Sequence, residues 1–204
     1  MKQQKQKSNS LHKKKMKKLK VNIDASINAA NIERGIGILL TGNGKGKSTS
    51  AFGMVIRSLG YNHKVGIVQF IKGQQLSGEE VYVRDKCPSV TFYQMNTGFT
   101  WETQDRSIDI AAAKESWAVA EKMLQDDSYN LVVLDELTYM LSFKYLDEAT
   151  ILDALNDRPV NQSVVVTGRG GGAALKRWAD TVSEVKEIKH AFKQGIMARK
   201  GVDV

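Results

Sequence analysis

The stretch Thr41-Gly42-Asn43-Gly44-Lys45-Gly46-Lys47-Ser48-Thr49 is made of residue types that bind phosphate. Its glycines let the backbone turn so that several N–H groups converge on one anion, and a helix starting behind them adds its positive end. Lys45 and Lys47 bring point charges, and the Ser48 hydroxyl is placed to ligate a phosphate-bound Mg²⁺. The pattern departs from G-x-x-x-x-G-K-[ST] at one point, because only three residues separate Gly42 from Gly46 and Thr41 stands at the first glycine's place. Asp135 and Glu136 follow the apolar run Leu131-Val132-Val133-Leu134. Carboxylates at the end of a buried strand beside a phosphate loop hold Mg²⁺ directly or through water, and spacing alone does not decide which of the two touches the metal. Arg169, in Thr167-Gly168-Arg169-Gly170-Gly171-Gly172, can clamp phosphate oxygens bidentately, or lie exposed in a flexible turn. Phe99 and Trp101, in Thr97-Gly98-Phe99-Thr100-Trp101-Glu102-Thr103, leave an extended segment on one side, suited either to a flat ring system or to packing at the core's edge.

Alternating strands and helices must position these groups. Apolar or β-branched runs at Gly35–Leu40, Lys64–Phe70, Val90–Met95, Leu131–Leu134 and Ser163–Thr167 predict strands, and Thr181–Ile188 alternates like an edge strand. Helical patterning covers Thr49–Leu59, Asp105–Gln125, Asp147–Leu155 and Ala173–Ala179. In the second of these, Ile108, Ala111, Ala112, Trp117, Ala120 and Leu124 are the expected inner positions. The order predicts a single α/β domain over residues 35–204, a mostly parallel sheet flanked by helices, with ligands at the strands' C-terminal ends.

The 204 residues suit one domain with a full core. The formal charge of +8 is concentrated: nine of the 30 Lys and Arg lie in residues 1–20, where no acid occurs, and beyond them 21 bases face 22 acids. Residues 1–21 therefore read as a disordered basic tail, either a solvated arm with no specific partner or one with an acidic protein partner or weak attraction to RNA or a membrane surface. The body carries no nucleic-acid-binding surface by composition. Residues 22–34, with Ile23, Ile27, Ala30 and Ile32, read as a separate helical segment. No apolar run reaches the roughly 18 residues of a membrane span. A lone cysteine, Cys87, forms no internal disulfide, and together with the lack of a secretory signal it points to the cytoplasm. His12, His63 and His190 show no ligand spacing with Cys87, so no zinc site is expected.

Gly42–Ser48, Val68–Gly73, Thr97–Thr103, Leu134–Tyr139 and Thr167–Gly170, in that order, resemble the P-loop family of ATP:cob(I)alamin adenosyltransferases. The resemblance runs from about Glu33 to the C-terminus and includes Val185–Phe192. It implies a P-loop NTPase-like (RecA-like) fold and transfer of the 5′-deoxyadenosyl group of ATP to Co(I) of a corrinoid, with triphosphate released. It further implies ATP held in reverse relative to ordinary P-loop NTPases, on Gly42, Asn43, Gly44, Lys45, Gly46, Lys47, Ser48, Thr49 and Arg169. By the same likeness Ser48 and Glu136 hold Mg²⁺, while Phe99 and Trp101 sit at the corrin's lower face and displace the axial base. Lys47, Phe99 and Trp101 are then the residues expected to matter most for catalysis. A flavoprotein reductant, a homodimer and an N-terminal helix closing over a neighbouring subunit's site are also implied. A P-loop phosphotransferase or NTPase explains the loop and Asp135-Glu136, but gives no reason for Phe99 and Trp101.

Overall fold

The computed structural model describes residues 2–71, 76–95 and 105–203. It divides into two compact units, Met1–Glu33 and Arg34–Val204.

The first unit is built on one helix, α1, Lys2–Ala29. This differs from the sequence expectation, which placed a disordered tail up to residue 21 and a helical segment after it; the helix runs through that boundary. The physical reason lies in the residue types: Lys, Gln, Leu, Met and Ala are good helix formers, and neither Gly nor Pro occurs before Gly35. Low apolar content still shows, since Leu11, Leu19 and Ile27 are 67%, 49% and 63% exposed.

The second unit is a three-layer α/β structure. Its strands are β1 (Gly37–Thr41), β2 (Val65–Gln69), β3 (Val90–Gln94), β4 (Leu131–Asp135), β5 (Ser163–Thr167) and β6 (Thr181–Glu184). They form one sheet in the order β3-β2-β4-β5-β1-β6, and every pairing is parallel. Because successive strand residues face opposite sides, Leu131 and Val133 enter one core with Ala51, Phe52, Val55 and Val83, whereas Val132 and Leu134 enter the other with Trp117, Leu124, Ile151 and Leu175.

The first core is covered by α2 (Lys47–Leu59) and α3 (Gly78–Lys86). The second is covered by α4 (Arg106–Gln125), α5 (Leu137–Ser142), α6 (Glu148–Asn156) and α7 (Gly172–Trp178). A 3-10 turn, Ala191–Gln194, follows β6. The inner face of α4 is Asp109, Ala113, Ser116, Trp117, Ala120, Met123 and Leu124, so Ile108 and Ala111 are corrected to exposed positions. Apolarity misjudged the phase because two buried members are polar: Asp109 accepts a hydrogen bond from the Tyr145 hydroxyl (3.1 Å), and the Ser116 hydroxyl donates to the Ala112 carbonyl (2.8 Å).

Candidate nucleotide and metal site

Strand order decides which loops meet. β5 lies between β4 and β1, so the segments leaving these three strands, which carry Glu136, Arg169 and the phosphate loop, emerge side by side at the sheet's C-terminal edge. That edge is where open α/β sheets bind ligands.

The phosphate loop joins β1 to α2. Gly42 and Gly46 adopt φ of +104° and +111°, in the region that favours glycine. Gly42 has a second reason to be glycine, because a Cβ there would stand 2.3 Å from the Val185 carbonyl oxygen. The chain after β6 presses on the loop from that side, accepting the Gly44 N–H at Val185 O (2.8 Å) and donating Glu187 N–H to Asn43 Oδ1 (3.1 Å). Thr41 is explained by its hydroxyl, which donates to the Gly170 carbonyl (2.5 Å) and ties the end of β1 to the loop beyond β5. The first residues of α2 have no intrahelical acceptor for their N–H groups, which makes this end an anion site.

A cavity of about 580 Å³ opens over the loop. Of the residues expected from sequence, Asn43, Gly44, Lys45, Gly46, Lys47, Ser48, Thr49, Glu136 and Arg169 line it together. Gly42 does not line it; its part is the backbone turn. Phe99 and Trp101 lie outside the described residues. The cavity also takes in Phe52, Ser77–Glu79, Tyr139, His190 and Gly201–Asp203, none of which sequence patterning assigned to the site.

Two neighbouring carboxylates are treated differently by the fold. Asp135 is 1% exposed, and both its oxygens are occupied: Oδ1 accepts from the Thr167 hydroxyl (2.6 Å) and Oδ2 from Gln69 Nε2 (2.7 Å). The second bond follows from register, since Gln69 stands opposite Asp135 across β2 and β4. Thr167 Oγ1 in turn accepts the Glu136 N–H (2.9 Å), holding Glu136 in a left-handed backbone conformation of φ +59°. Glu136 thereby lines the cavity and Asp135 does not. Gly168 closes the group, because a Cβ there would lie 2.1 Å from Thr138 Oγ1, while that hydroxyl donates to the Arg169 carbonyl (3.0 Å).

Electrostatics follow from this packing. Burial pushes the Lys47 ammonium below its ordinary pKa; Glu136 opposes the shift, Arg169 adds to it, and smaller effects come from Asp135 and Lys45. The ammonium donates to the Gly44 carbonyl (2.8 Å). Burial raises the Tyr139 hydroxyl, with Glu136 adding to the shift. Ser48 and Glu136 offer a hydroxyl and a carboxylate oxygen on one cavity, hard donors that suit Mg²⁺ once phosphate oxygens and water complete its shell. Among the described residues no group of three or more His, Cys, Asp or Glu side chains could hold a metal ion. No described helix is long and apolar enough to cross a membrane.

Comparison with known proteins identifies the lineage of this site. Residues 33–204 match the family described as ATP:corrinoid adenosyltransferase BtuR/CobO/CobP. A corrinoid adenosyltransferase of Pseudomonas aeruginosa is 50% identical over 192 residues, covering 94% of this chain and 95% of the relative. The corrinoid adenosyltransferase of Escherichia coli K12 is 46% identical over 196 residues, covering 96% and 99%. Corrinoid adenosyltransferase CobA of Salmonella typhimurium is 45% identical with the same coverage. The chain belongs to the ATP:corrinoid adenosyltransferase family.

Proposed function

We propose that the protein transfers the 5′-deoxyadenosyl group of ATP to Co(I) of cobalamin or a related corrinoid, releasing triphosphate, in the synthesis or salvage of adenosylcobalamin. The observation that carries this reading is the convergence of residues 43–49, Glu136 and Arg169 on one cavity, in a chain matched to the family from residue 33 to its end.

Co(I) is an electron-rich nucleophile with no proton to lose, so the reaction asks for no general base. What it asks for is alignment of cobalt with the 5′ carbon and stabilisation of the departing triphosphate. The loop N–H groups, the start of α2, Lys45, Lys47 and Arg169 surround that leaving group with positive charge. Ser48 and Glu136 are the residues to hold Mg²⁺, which when bound would neutralise part of the phosphate charge. Asp135 keeps to the support of Glu136. Phe99 and Trp101 are assigned to the corrin's lower face, where excluding the axial base makes Co(II) easier to reduce. A flavoprotein supplies the electron, the enzyme acts as a cytoplasmic homodimer, and α1 is the element available to close over a neighbouring subunit.

The test is anaerobic incubation with Mg-ATP and chemically reduced cobalamin. A light-sensitive alkylcobalt spectrum with stoichiometric triphosphate is expected. ADP or phosphate without an alkylcobalt product would return the chain to the phosphotransferases and NTPases.

A further inference from the structure

The cavity has a wall that the phosphate loop does not supply. His190, Gly201, Val202 and Asp203 line it from the C-terminal segment, together with Lys45, Lys47 and Arg169. Asp203 is held in place twice, its Oδ2 accepting the Arg199 N–H (3.0 Å) and its own N–H donating to the Arg199 carbonyl (2.8 Å). Its other carboxylate oxygen pairs with Lys45 Nζ at 2.8 Å, so a phosphate-loop lysine is engaged by a carboxylate of the chain itself. His190 is oriented by the turn that follows it: Nδ1 accepts the Phe192 N–H (3.2 Å), which leaves the proton of the neutral ring on Nε2.

Charge balance shows why these two residues matter. The charged side chains lining the cavity are Lys45, Lys47 and Arg169 against Glu79, Glu136 and Asp203, three of each sign. In formal side-chain charge the lining is therefore neutral, and its pull on an anion comes from the loop N–H groups and the start of α2. A nucleoside triphosphate carries several negative charges, of which one divalent cation neutralises only part. Breaking the carbon–oxygen bond at the 5′ position leaves one further negative charge on the triphosphate, because the bonding pair departs with oxygen while cobalt donates the pair for the new bond. Withdrawal of Asp203 from Lys45 frees one positive charge for the anion, and an N–H donor on His190 adds a hydrogen bond to it.

We propose that this C-terminal wall belongs to the triphosphate site: His190 donates from Nε2 to a phosphate oxygen, and Asp203 occupies Lys45 until a phosphate displaces it. The inference rests on the reading of the cavity as the ATP site. The titratable and charged groups sharing the cavity with His190 are Lys45, Lys47, Glu79, Glu136, Tyr139, Arg169 and Asp203, and its own segment adds Glu187, paired with Lys193.

Calorimetric titration of the full chain with magnesium ATP, and separately with magnesium and inorganic triphosphate, tests this. His190→Ala is expected to bind triphosphate about tenfold more weakly, the size of one charge-assisted hydrogen bond. His190→Gln, which keeps a donor, recovers part of the affinity. Asp203→Asn, which removes the competing charge, binds triphosphate several-fold more tightly. Wild-type affinity in His190→Ala, or unchanged or weaker binding in Asp203→Asn, overturns the proposal. A wild-type chain that binds neither ATP nor triphosphate would instead overturn the phosphate-site reading beneath it.

Discussion

Replacing Thr167 by Val removes one oxygen from the buried chain Gln69–Asp135–Thr167–Glu136 while keeping the side chain's volume, so no cavity term enters. Thr167 is fully buried, and its hydroxyl does two things: it donates to Asp135 Oδ1 at 2.6 Å and accepts the Glu136 N–H at 2.9 Å. The first is a hydrogen bond to a carboxylate, worth about 1.5–3 kcal/mol, and the second loss leaves a part-buried N–H without its acceptor at about 1–3 kcal/mol. The expected destabilisation is therefore about 2.5–6 kcal/mol, and for a domain of this size each kcal/mol lowers Tm by about 2–4 °C. Thermal and urea unfolding of the full chain measure it, with Thr167→Ser as the control that keeps the hydroxyl and loses only a methyl, about 1 kcal/mol. Glu136 loses the bond that holds its left-handed backbone, so the Mg²⁺ concentration needed for half-maximal ATP binding rises in the Val variant and changes little in the Ser variant. If Val is the milder substitution in both assays, Thr167 serves by its methyl contacts and the reasoning about the network is refuted.

Lys47→Ala is expected to reduce turnover at least 100-fold, about 2.7 kcal/mol of leaving-group stabilisation, with cobalamin binding by equilibrium titration less affected; normal turnover would remove the lysine from the site. Phe99→Ala and Trp101→Ala should impair reactions begun from Co(II) more than those supplied with Co(I), and equal losses from the two states would assign both rings to packing. The Asp180 carboxyl is held down to about 2 by the Arg34 guanidinium and the Gly37 N–H. Its stabilising contribution is complete above the unfolded carboxyl's range near pH 3.9 and is lost as pH falls from about 4 to about 2. Solvent screening of this partly exposed pair limits the contribution to about 1 kcal/mol. Asp180→Asn should flatten the acid limb of the stability curve by that amount, and an unchanged limb contradicts the assignment.

Legibility in the sequence followed the strength of local signals. Uninterrupted apolar runs mark fully buried parallel strands, so β4 and β5 were found within a residue of their limits, and the groups directly after them were found too. α3 escaped because its nine residues are mostly polar and one of its buried members is Glu80. A signal was present in Ser77-x-x-Glu80, a capping pattern that the structure fulfils with Ser77 Oγ accepting the Glu80 N–H at 3.4 Å. α5 is a short, mainly apolar stretch behind Glu136 without enough turns for a period to show. The cavity's C-terminal wall was illegible for another reason: His190 and Asp203 lie more than a hundred residues from the phosphate loop, the resemblance over Val185–Phe192 gave His190 no role, and the pairing of β6 with β1 is what carries that segment past the loop. The split between Asp135 and Glu136 was likewise beyond spacing, because it depends on Gln69 and Thr167 from two other strands.

The central claim is that the bond broken in ATP is the one between the 5′ carbon and its oxygen. ATP carrying ¹⁸O at that bridging position, incubated anaerobically with Mg²⁺, Co(I) cobalamin and the enzyme, reports the cleavage directly by mass spectrometry of the products. The account predicts the label in triphosphate and none in the adenosyl product. Label retained on a nucleotide, in ADP or AMP, would show cleavage at phosphorus and contradict it.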